Sequence, residues 1–343
     1  MAASQFSKLV SFAALSVTAA LGGCSATPPS ASNSTKYPTY EMRSATVRPI
    51  HPVGDHNIAW IDDGRVLFEG LDRSLIDPVE RNRGVPVAMR SLYVWNIRTN
   101  EVTRHTREAL RSWLCFADGY VAYSVYRNGK TVWLEGPLGK EQEVEPITDA
   151  RDGQFKGRGL NPFTCRSYDR AALPKLQIGG GIEPLRPEHG WIEHTGSTTW
   201  IRAPDGKLTQ LTYGGRSIGT VRPQKYSSHA KKYIFWRHAT WLIEPDGTVR
   251  DLPSPDAKDI GRLEPAAQGK TLWRLNRINA RASWDPGASG LYVYASDSEP
   301  ERVITGFIDA MHVHAVGCLV AVIVDPWDKE ERIHQLKAVN VCQ

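Results

Sequence analysis

Short runs of β-forming residues alternate with turn signals along most of this chain, and no stretch of helical period extends beyond about ten residues. Glycine follows a polar residue in many of the turns, where it suits the positive φ of a tight hairpin. Strands that are joined by such turns lie antiparallel, so the pattern predicts an all-β protein. The turn signals are Asp62-Asp63-Gly64, Asp118-Gly119, Asn128-Gly129, Pro204-Asp205-Gly206 and Pro245-Asp246-Gly247.

The strands also repeat in a fixed plan: an aromatic-bearing strand, a turn, and a polar strand that ends in Leu, Ile or Thr. This plan recurs in Leu92–Thr106, Thr199–Thr212, Thr240–Leu252 and Leu291–Thr305, and a further pair of short strands precedes each. Four strands per unit of roughly 35 to 55 residues is typical of a propeller blade, so we predict a β-propeller of about six four-stranded antiparallel blades. The predicted units are residues 57–106, 112–148, 162–212, 218–253, 262–306 and 308–342.

The last unit has only three clear strands, and an open strand edge invites aggregation. The segment Tyr40–Pro49, with Thr46–Arg48 extended, lies before the first unit and can supply the fourth strand. We therefore predict a propeller domain over residues 40–343 whose ring is closed by an N-terminal strand.

The blade repeats resemble those of TolB-type and WD40-like β-propellers, whose blades end in a strand, an Asp-Gly turn and Leu-Thr. Trp200–Thr212 is the best match, and the resemblance covers residues 41–343 as a pattern. The upstream Ser-Pro-Asp-Gly element of those repeats is degenerate here. The resemblance therefore implies the propeller fold and not the particular partners of TolB.

A short apolar run, Leu9–Leu21, follows Lys8 and ends in Leu21-Gly22-Gly23-Cys24. The run is too short for a permanent transmembrane helix and is typical of a signal peptide. The last four residues resemble the bacterial lipobox, which implies that residues 1–23 are removed as a lipoprotein signal peptide and that Cys24 is acylated. Ser25, a residue other than Asp, implies sorting to the outer membrane. The alternative is an ordinary signal peptide with an incidental cysteine.

Residues 24–39 are rich in Ser, Thr and Pro and have no hydrophobic period, so we predict a flexible tether. Removing residues 1–23 takes away one lysine and lowers the formal charge from +5 to +4. That charge is too small to favour nucleic acid as a partner.

Four cysteines remain beyond Cys24, an even number that favours two disulfides in an oxidising compartment. Cys318 and Cys342 are equidistant from a turn near Glu330, which would place them on facing strands. By elimination, Cys115 would pair with Cys165. The four thiols lack the Cys-x-x-Cys spacing of metal ligands.

Three patterns carry candidate chemistry. Gly215–Gly219 fits the Gly-x-Ser-x-Gly nucleophile elbow, but no helix is predicted after it, so an inter-blade loop is the favoured interpretation. His312 and His314 are spaced to share one face of a strand and could hold a metal ion with His51 or His56; hydrogen-bonded strand histidines are the alternative. The tryptophans could stack on sugars, but blade packing is favoured for Trp95, Trp133, Trp200, Trp241 and Trp273.

No catalytic, cofactor-binding or metal-binding residue is assigned from these patterns, and no cofactor is expected. The function we predict is a lipid-anchored, non-enzymatic β-propeller of the cell envelope that serves as an interaction platform for an envelope protein. The alternatives are a hydrolase or lyase that acts on a glycan or peptide at the channel mouth, and a carbohydrate-binding module.

Overall fold

The computed structural model describes residues 36–43, 50–53, 58–72, 90–146, 158–169, 173, 180–236, 240–252, 261–276, 285, 287–295, 298–325 and 334–343. Within these ranges the chain is built from strands and turns, and its only helix is one 3-10 turn at Pro187–His189. No helix among the described residues is long and apolar enough to cross a membrane.

The strands in chain order are β1 (Thr39–Glu41), β2 (Ile50–Pro52), β3 (Ile58–Trp60), β4 (Arg65–Asp72), β5 (Arg90–Asn96), β6 (Val102–Arg104), β7 (Ala109–Ala117), β8 (Tyr120–Arg127), β9 (Lys130–Pro137), β10 (Gln142–Val144), β11 (Arg158–Leu160), β12 (Ser167–Asp169), β13 (Gly180–Pro184), β14 (Trp191–Thr195), β15 (Thr198–Arg202), β16 (Leu208–Gln210), β17 (Thr212–Tyr213), β18 (Arg216–Ser217), β19 (Lys225–Ser227), β20 (Lys232–Trp236), β21 (Thr240–Ile243), β22 (Val249–Asp251), β23 (Gly261–Pro265), β24 (Thr271–Leu275), β25 (Gly290–Tyr294), β26 (Glu301–Thr305), β27 (Phe307–Val313), β28 (Leu319–Asp325) and β29 (Gln335–Asn340).

Six antiparallel sheets form the blades of a β-propeller. Blade 1 contains β2 to β6, in which β2 and β3 pair with successive parts of the same edge of β4 and together take the place of the first strand. Blade 6 contains β27, β28, β29 and β1. Blades 2 to 5 contain β7–β10, β13–β16, β19–β22 and β23–β26. Chain neighbours are sheet neighbours in these four blades, as expected of strands joined by hairpins. The predicted fold, an all-β propeller of six four-stranded blades, is confirmed.

The repeats found in the sequence are the outer hairpins of four blades. They correspond to β5–β6, β15–β16, β21–β22 and β25–β26, the third and fourth strands of blades 1, 3, 4 and 5. The repeated plan is visible because each hairpin needs the same succession of strand, tight turn and strand.

Two of the predicted turns have the backbone of a tight hairpin. Asp118 and Gly119 have φ of 50° and 74°, and Asn128 and Gly129 have φ of 51° and 78°. The turn at Asp62-Asp63-Gly64 departs from the prediction, since Gly64 does not have a positive φ. There the Asp62 carboxylate closes the turn by accepting the Gly64 N–H at 3.0 Å.

The predicted third unit, residues 162–212, begins too early. The four strands of blade 3 lie between residues 180 and 210, and β11 and β12 form a separate hairpin before them. The Ser167 hydroxyl and amide both donate to the Glu135 carboxylate, and Cys165 is bonded to Cys115. These contacts hold the hairpin, which we call the wedge hairpin (residues 158–169), against blade 2.

Blade 6 is closed by the N-terminal strand, as predicted. The β1 strand pairs antiparallel with β29, with Tyr40 opposite Ala338. The closing strand, Thr39–Glu41, begins one residue before the predicted segment Tyr40–Pro49, and Thr46–Arg48 lie outside the described residues. Tyr37 is 5% exposed and packs between blades 5 and 6, although it falls inside the predicted tether of residues 24–39.

Apolar side chains are buried mainly between neighbouring blades. Trp60 and Trp95 of blade 1 pack with Leu336 of blade 6, for example. Similar clusters of described residues join blades 1 and 2, 3 and 4, 4 and 5, and 5 and 6. Each blade is therefore stabilised by its neighbours, and the ring must close for the end blades to be covered.

Among the described residues, no such apolar cluster joins blade 2 directly to blade 3; the wedge hairpin links them instead. Phe163 of the hairpin packs with Leu185 of blade 3 and Tyr233 of blade 4. The Asn161 amide donates to the Leu185 carbonyl at 2.6 Å. The hairpin thus connects blade 2 to the two blades that follow it.

The structure contains two disulfides, the number that the cysteine count predicts. Cys318 and Cys342 are joined with their Cα atoms 5.2 Å apart, on the turn before β28 and on the segment after β29. Cys115 of β7 is joined to Cys165 of the wedge hairpin, with a Cα separation of 5.6 Å. One bond therefore lies in the closing blade and the other holds the wedge hairpin to blade 2.

Deletion of residues 37–43 from the mature chain, prepared without its lipid, should destabilise the ring. Burial of one large apolar side chain contributes about 1.5–3 kcal/mol, and both Tyr37 and Met42 would be removed together with the β1 ladder. Urea unfolding measures the loss. Deletion of residues 26–34 is the control and should leave stability nearly unchanged, because that polar segment is predicted to make few buried contacts. Equal stability of the two deletion variants would contradict closure by β1.

The Cys318→Ser/Cys342→Ser variant should lose about 3 kcal/mol of stability, the chain-entropy value for a loop of roughly 25 residues. Urea unfolding under oxidising conditions measures the difference from the wild type. In a reductant that breaks both native disulfides, the two proteins should differ much less. A variant as stable as the oxidised wild type would show that this bond does not stabilise the closing blade.

Candidate functional site

Two adjoining cavities lie around the axis of the ring. The first, which we call the channel cavity, has a volume of about 180 Å³ and is bounded mostly by residues of innermost strands, on β3, β19, β23, β24 and β27. The mouth cavity, of about 420 Å³, lies where inner strands turn into second strands, near β3, the β7–β8 turn, β19 and the end of β27. Gln224, Lys225 and His312 line both cavities, so the mouth leads into the channel.

Lys225 joins three blades where the two cavities meet. Its ammonium lies 2.7 Å from Glu264 Oε2 and donates to the Met311 carbonyl at 3.3 Å. Lys225, Glu264 and Met311 stand on the innermost strands of blades 4, 5 and 6. The ion pair is largely buried, since the Glu264 side chain is only 5% exposed. It therefore holds three inner strands in a fixed arrangement around the channel.

His312 and His314 both line the mouth, and both contact Trp60 of blade 1. The Trp60 indole N–H donates to the His312 carbonyl at 3.0 Å, and the Trp60 amide lies 3.5 Å from His312 Nδ1. The Trp60 and His314 rings meet edge to face at 5.6 Å. Burial, with the Lys225 ammonium nearby, holds the pKa of His312 well below its usual range. The ring is therefore neutral at pH 7, which suits its role as an acceptor.

The metal-binding hypothesis for these histidines finds no support in the geometry. Within the described part of the chain, no three His, Cys, Asp or Glu side chains are grouped as metal ligands would be. His51 lies on β2, and His56 is outside the described residues. The arrangement instead matches hydrogen-bonded strand histidines near the mouth of the ring.

Arg186 is the second cation that organises the mouth. Its guanidinium lies 2.6 Å from Asp118 and 2.7 Å from Glu188, and it stacks 4.9 Å from the Tyr226 ring centre. Burial by itself would lower its pKa, but the hydrogen bonds that Arg186 donates to Glu188 and Asp118 outweigh burial and raise the pKa above the ordinary value. Arg186 is therefore a fixed positive charge that ties the β7–β8 turn to blades 3 and 4.

An aromatic group packs beside Arg186. Tyr226 and Tyr233 have ring centres 4.9 Å apart, and Phe163 meets Tyr233 at 5.2 Å. The Tyr233 hydroxyl accepts the Arg186 amide N–H at 3.0 Å and lies 2.8 Å from His189 Nδ1. The mouth thus presents aromatic and charged groups whose positions are set by hydrogen bonds from several blades.

The two carboxylates of the channel cavity both have a side-chain partner. Glu264 is ion-paired with Lys225, and Asp309 Oδ2 lies 2.6 Å from His334 Nε2.

Gly215–Gly219 is not a nucleophile elbow. β17 and β18 form a small hairpin, and the exposed Ser217 hydroxyl accepts the Gly219 N–H at 3.3 Å. The chain continues into blade 4 without a helix, so the segment is the inter-blade loop that the sequence favoured.

The tryptophans that were considered as sugar-stacking platforms are buried or partly buried in the blades. Trp95 is fully buried and Trp273 is 7% exposed. Trp133, Trp200 and Trp241 are partly buried. These positions agree with the packing interpretation.

Sequence reasoning did not single out Lys225, Arg186 or the channel arginines. A usable signal was present, because Lys225, Arg262 and Glu264 are charged residues inside short strands where a buried blade would favour apolar ones. Their meeting at the ring axis depends on the closed ring, which spacing along the chain does not reveal.

No protein-family model matches the chain, and no curated protein matches its sequence. Among solved structures, the chain is similar to TolB from Acinetobacter baumannii, at 10% identity and a TM-score of 0.39, over 86% of this chain and 67% of that one. It is also similar to a chain in the crystal structure of a mitotic checkpoint complex, at 9% identity and a TM-score of 0.43, over 88% and 97% of the two chains. The six blades described above confirm the propeller fold that the resemblance of the repeats to TolB-type and WD40-like propellers implied.

Proposed function

We propose that this protein is a lipid-anchored, non-enzymatic platform of the cell envelope that binds a protein partner at the channel mouth. The observation that carries the proposal is the mouth cavity, where aromatic rings and charged groups from several blades are held in fixed positions. Tyrosine, tryptophan and arginine are enriched among residues that dominate protein interfaces. Groups that are already immobilised lose little conformational freedom on binding, which favours affinity.

The chemistry of the mouth supports binding over catalysis. Lys225 and Arg186 are engaged in ion pairs, His312 is neutral and hydrogen-bonded, and the channel carboxylates Glu264 and Asp309 are held by Lys225 and His334. Phe116 and Lys231 line the mouth cavity; Phe116 is partly buried against the apolar cluster between blades 1 and 2, and Lys231 is exposed. These two side chains are the ones best placed to contact a partner.

The rival functions have less support. A carbohydrate-binding module needs an accessible aromatic platform, but the Trp60 side chain at the mouth is 5% exposed and its indole N–H donates to His312. A hydrolase or lyase needs a nucleophile or an acid and base pair. Ser217 lies in an exposed hairpin where its hydroxyl accepts the Gly219 N–H, and Glu264 and Asp309 are each held by another side chain.

An envelope location is supported by the two disulfides, which persist in oxidising compartments. The lipobox resemblance at Leu21–Cys24 and the residue Ser25 add the expectation of an outer-membrane lipid anchor. Residues 1–23 and Cys24 lie outside the described residues, so the anchor is part of the proposal.

Cys24→Ala should abolish acylation, because the thiol is the group onto which the lipid is loaded. Metabolic labelling with a palmitate analogue, followed by membrane fractionation, measures this. Ser25→Ala is the matched control and should label as the wild type does. Equal incorporation into wild type and Cys24→Ala would refute the lipid anchor without affecting the propeller.

The partner site is tested by capture from envelope extract of the organism. Wild-type protein should retain one stoichiometric partner, and Phe116→Ala/Lys231→Ala should weaken its binding at least tenfold, about 1.4 kcal/mol. Tyr126→Ala changes an aromatic residue that is 53% exposed at the opposite end of β8, and it should bind normally. Thermal unfolding checks that all variants are folded. The platform proposal fails if no protein is captured, or if the mouth variant binds as tightly as the control.

A further inference from the structure

His194 lies in the seam between blades 3 and 4, on the face of blade 3 that packs against its neighbour. It is 5% exposed, and Thr199 stands directly opposite it on β15. Ile192 and Ile201 share this face, because side chains alternate along a strand, and both belong to the apolar cluster that joins the two blades. A titratable ring is therefore enclosed in a mainly apolar seam.

The Thr199 hydroxyl joins His194 to residues 218–222, the segment that leads from blade 3 into blade 4. The hydroxyl oxygen lies 2.6 Å from the Gly219 carbonyl oxygen and 3.2 Å from the Val221 amide nitrogen. It also lies 3.2 Å from His194 Nδ1. A hydroxyl has one proton to donate, and the Gly219 carbonyl can only accept it. The Thr199 oxygen therefore accepts from both Val221 and His194, so Nδ1 carries a proton.

This network fixes the tautomer of His194. With the proton on Nδ1, the neutral ring has only a lone pair on Nε2, and that atom is buried without a hydrogen-bond partner among the described residues. A second proton would create a buried, charged N–H that has no acceptor in the described part of the chain. Leaving a charged donor unsatisfied costs more than leaving a neutral one.

The charges around His194 also disfavour protonation. Arg222 is the charged residue that acts on the ring among the described residues, and it is itself paired with Glu183 of β13 at 3.0 Å. Glu193 and Arg202 pair with each other on the opposite face of blade 3. Burial, with the Arg222 guanidinium nearby, lowers the pKa of His194 below its usual range. The ring is therefore neutral at pH 7.

We propose that the seam between blades 3 and 4 is a pH-sensitive switch, which is closed while His194 is neutral and opens when the ring is protonated. Opening gives the charged ring access to water. It also separates Thr199 from Gly219 and Val221, because these bonds cross the seam.

The switch adjoins the channel mouth. Ile218 and Val221 pack in the same apolar cluster as Phe163, Tyr226 and Tyr233, the aromatic group of the mouth. Opening of the seam removes part of the support of that group, so acid should weaken binding of the partner. This consequence rests on the proposed function, whereas the switch itself does not.

The direction of the pH effect follows from the lowered pKa of His194. In the open seam the ring has its ordinary pKa of about 6.5, so the open state binds a proton at a higher pH than the closed state does. The closed seam is therefore fully stable above about pH 6.5, and its stability is lost as the pH falls below that value.

Hydrogen–deuterium exchange of the mature chain, prepared without its lipid, tests the switch at about pH 7.5 and about pH 5, with rates corrected for intrinsic exchange. Peptides that contain Val221 should exchange at least roughly tenfold faster in acid, since one pKa unit changes the opening equilibrium tenfold. His194→Asn is neutral at both pH values and keeps an N–H for Thr199, so its exchange should change much less. His229→Asn, which removes a partly exposed histidine of the β19–β20 turn, is the matched control and should respond as the wild type does.

The switch is overturned if exchange around Val221 does not rise in acid, or if it rises equally in the wild type and in His194→Asn. If His194→Asn does not fold, His194→Gln, which is also neutral, replaces it with the same expected loss of the acid response.

Capture of the envelope partner at the same two pH values tests the consequence for the mouth. Acid should weaken capture by the wild type more than capture by His194→Asn, and equal weakening would refute the link between the switch and the mouth. If exchange responds to acid as expected but no partner is captured at either pH, the platform proposal fails and the switch stands.

Discussion

Packing between blades is the interaction on which this structure depends, because each four-stranded sheet covers its apolar faces with those of its neighbours. A linear row of blades would leave two faces and one strand edge open. Pairing of β1 with β29 closes the row, and it brings Trp60 and Trp95 of blade 1 against Leu336 of blade 6. The Cys318–Cys342 bond lies in the same blade. Residues from both ends of the described chain thus meet in one sheet, which couples the stability of the whole ring to its closure.

The seam between blades 2 and 3 shows how the ring accommodates an irregular unit. At this seam the wedge hairpin lies between the two blades, whereas the other described seams are joined by direct apolar clusters. Hydrogen bonds and a disulfide provide part of the link between the hairpin and blade 2. Glu135 accepts two hydrogen bonds from Ser167, and Cys115 is bonded to Cys165. The same hairpin carries Phe163 to the mouth, where Arg186 also contacts its carbonyl at 3.4 Å. The element that completes this seam is therefore also part of the candidate binding surface.

Ring closure also explains why charged side chains lie close together in the channel. The innermost strands of six blades converge on the axis, so charged side chains that would be isolated on separate sheets become neighbours. Lys225 bridges Glu264 and Met311, and Arg262 and Arg274 stand opposite each other on neighbouring strands. The mouth presents aromatic and charged groups that contacts from several blades hold in place, and this property underlies the proposal of a protein partner at the rim.

The sequence by itself determined the fold class, the approximate number of blades, the closing strand and the number of disulfides. These features rest on local signals: the period of two along strands, the Asp-Gly and Asn-Gly turns, and the even number of cysteines beyond Cys24. The start of blade 3 was misplaced because Phe163–Tyr168 has the local pattern of a blade strand, although its partners are Glu135 and Cys115. Only the tertiary structure decided which side chains meet at the axis. Lys225 and Met311 are 86 positions apart along the chain. Their contact depends on how the blades are arranged around the closed ring, and no local pattern in the sequence specifies that arrangement.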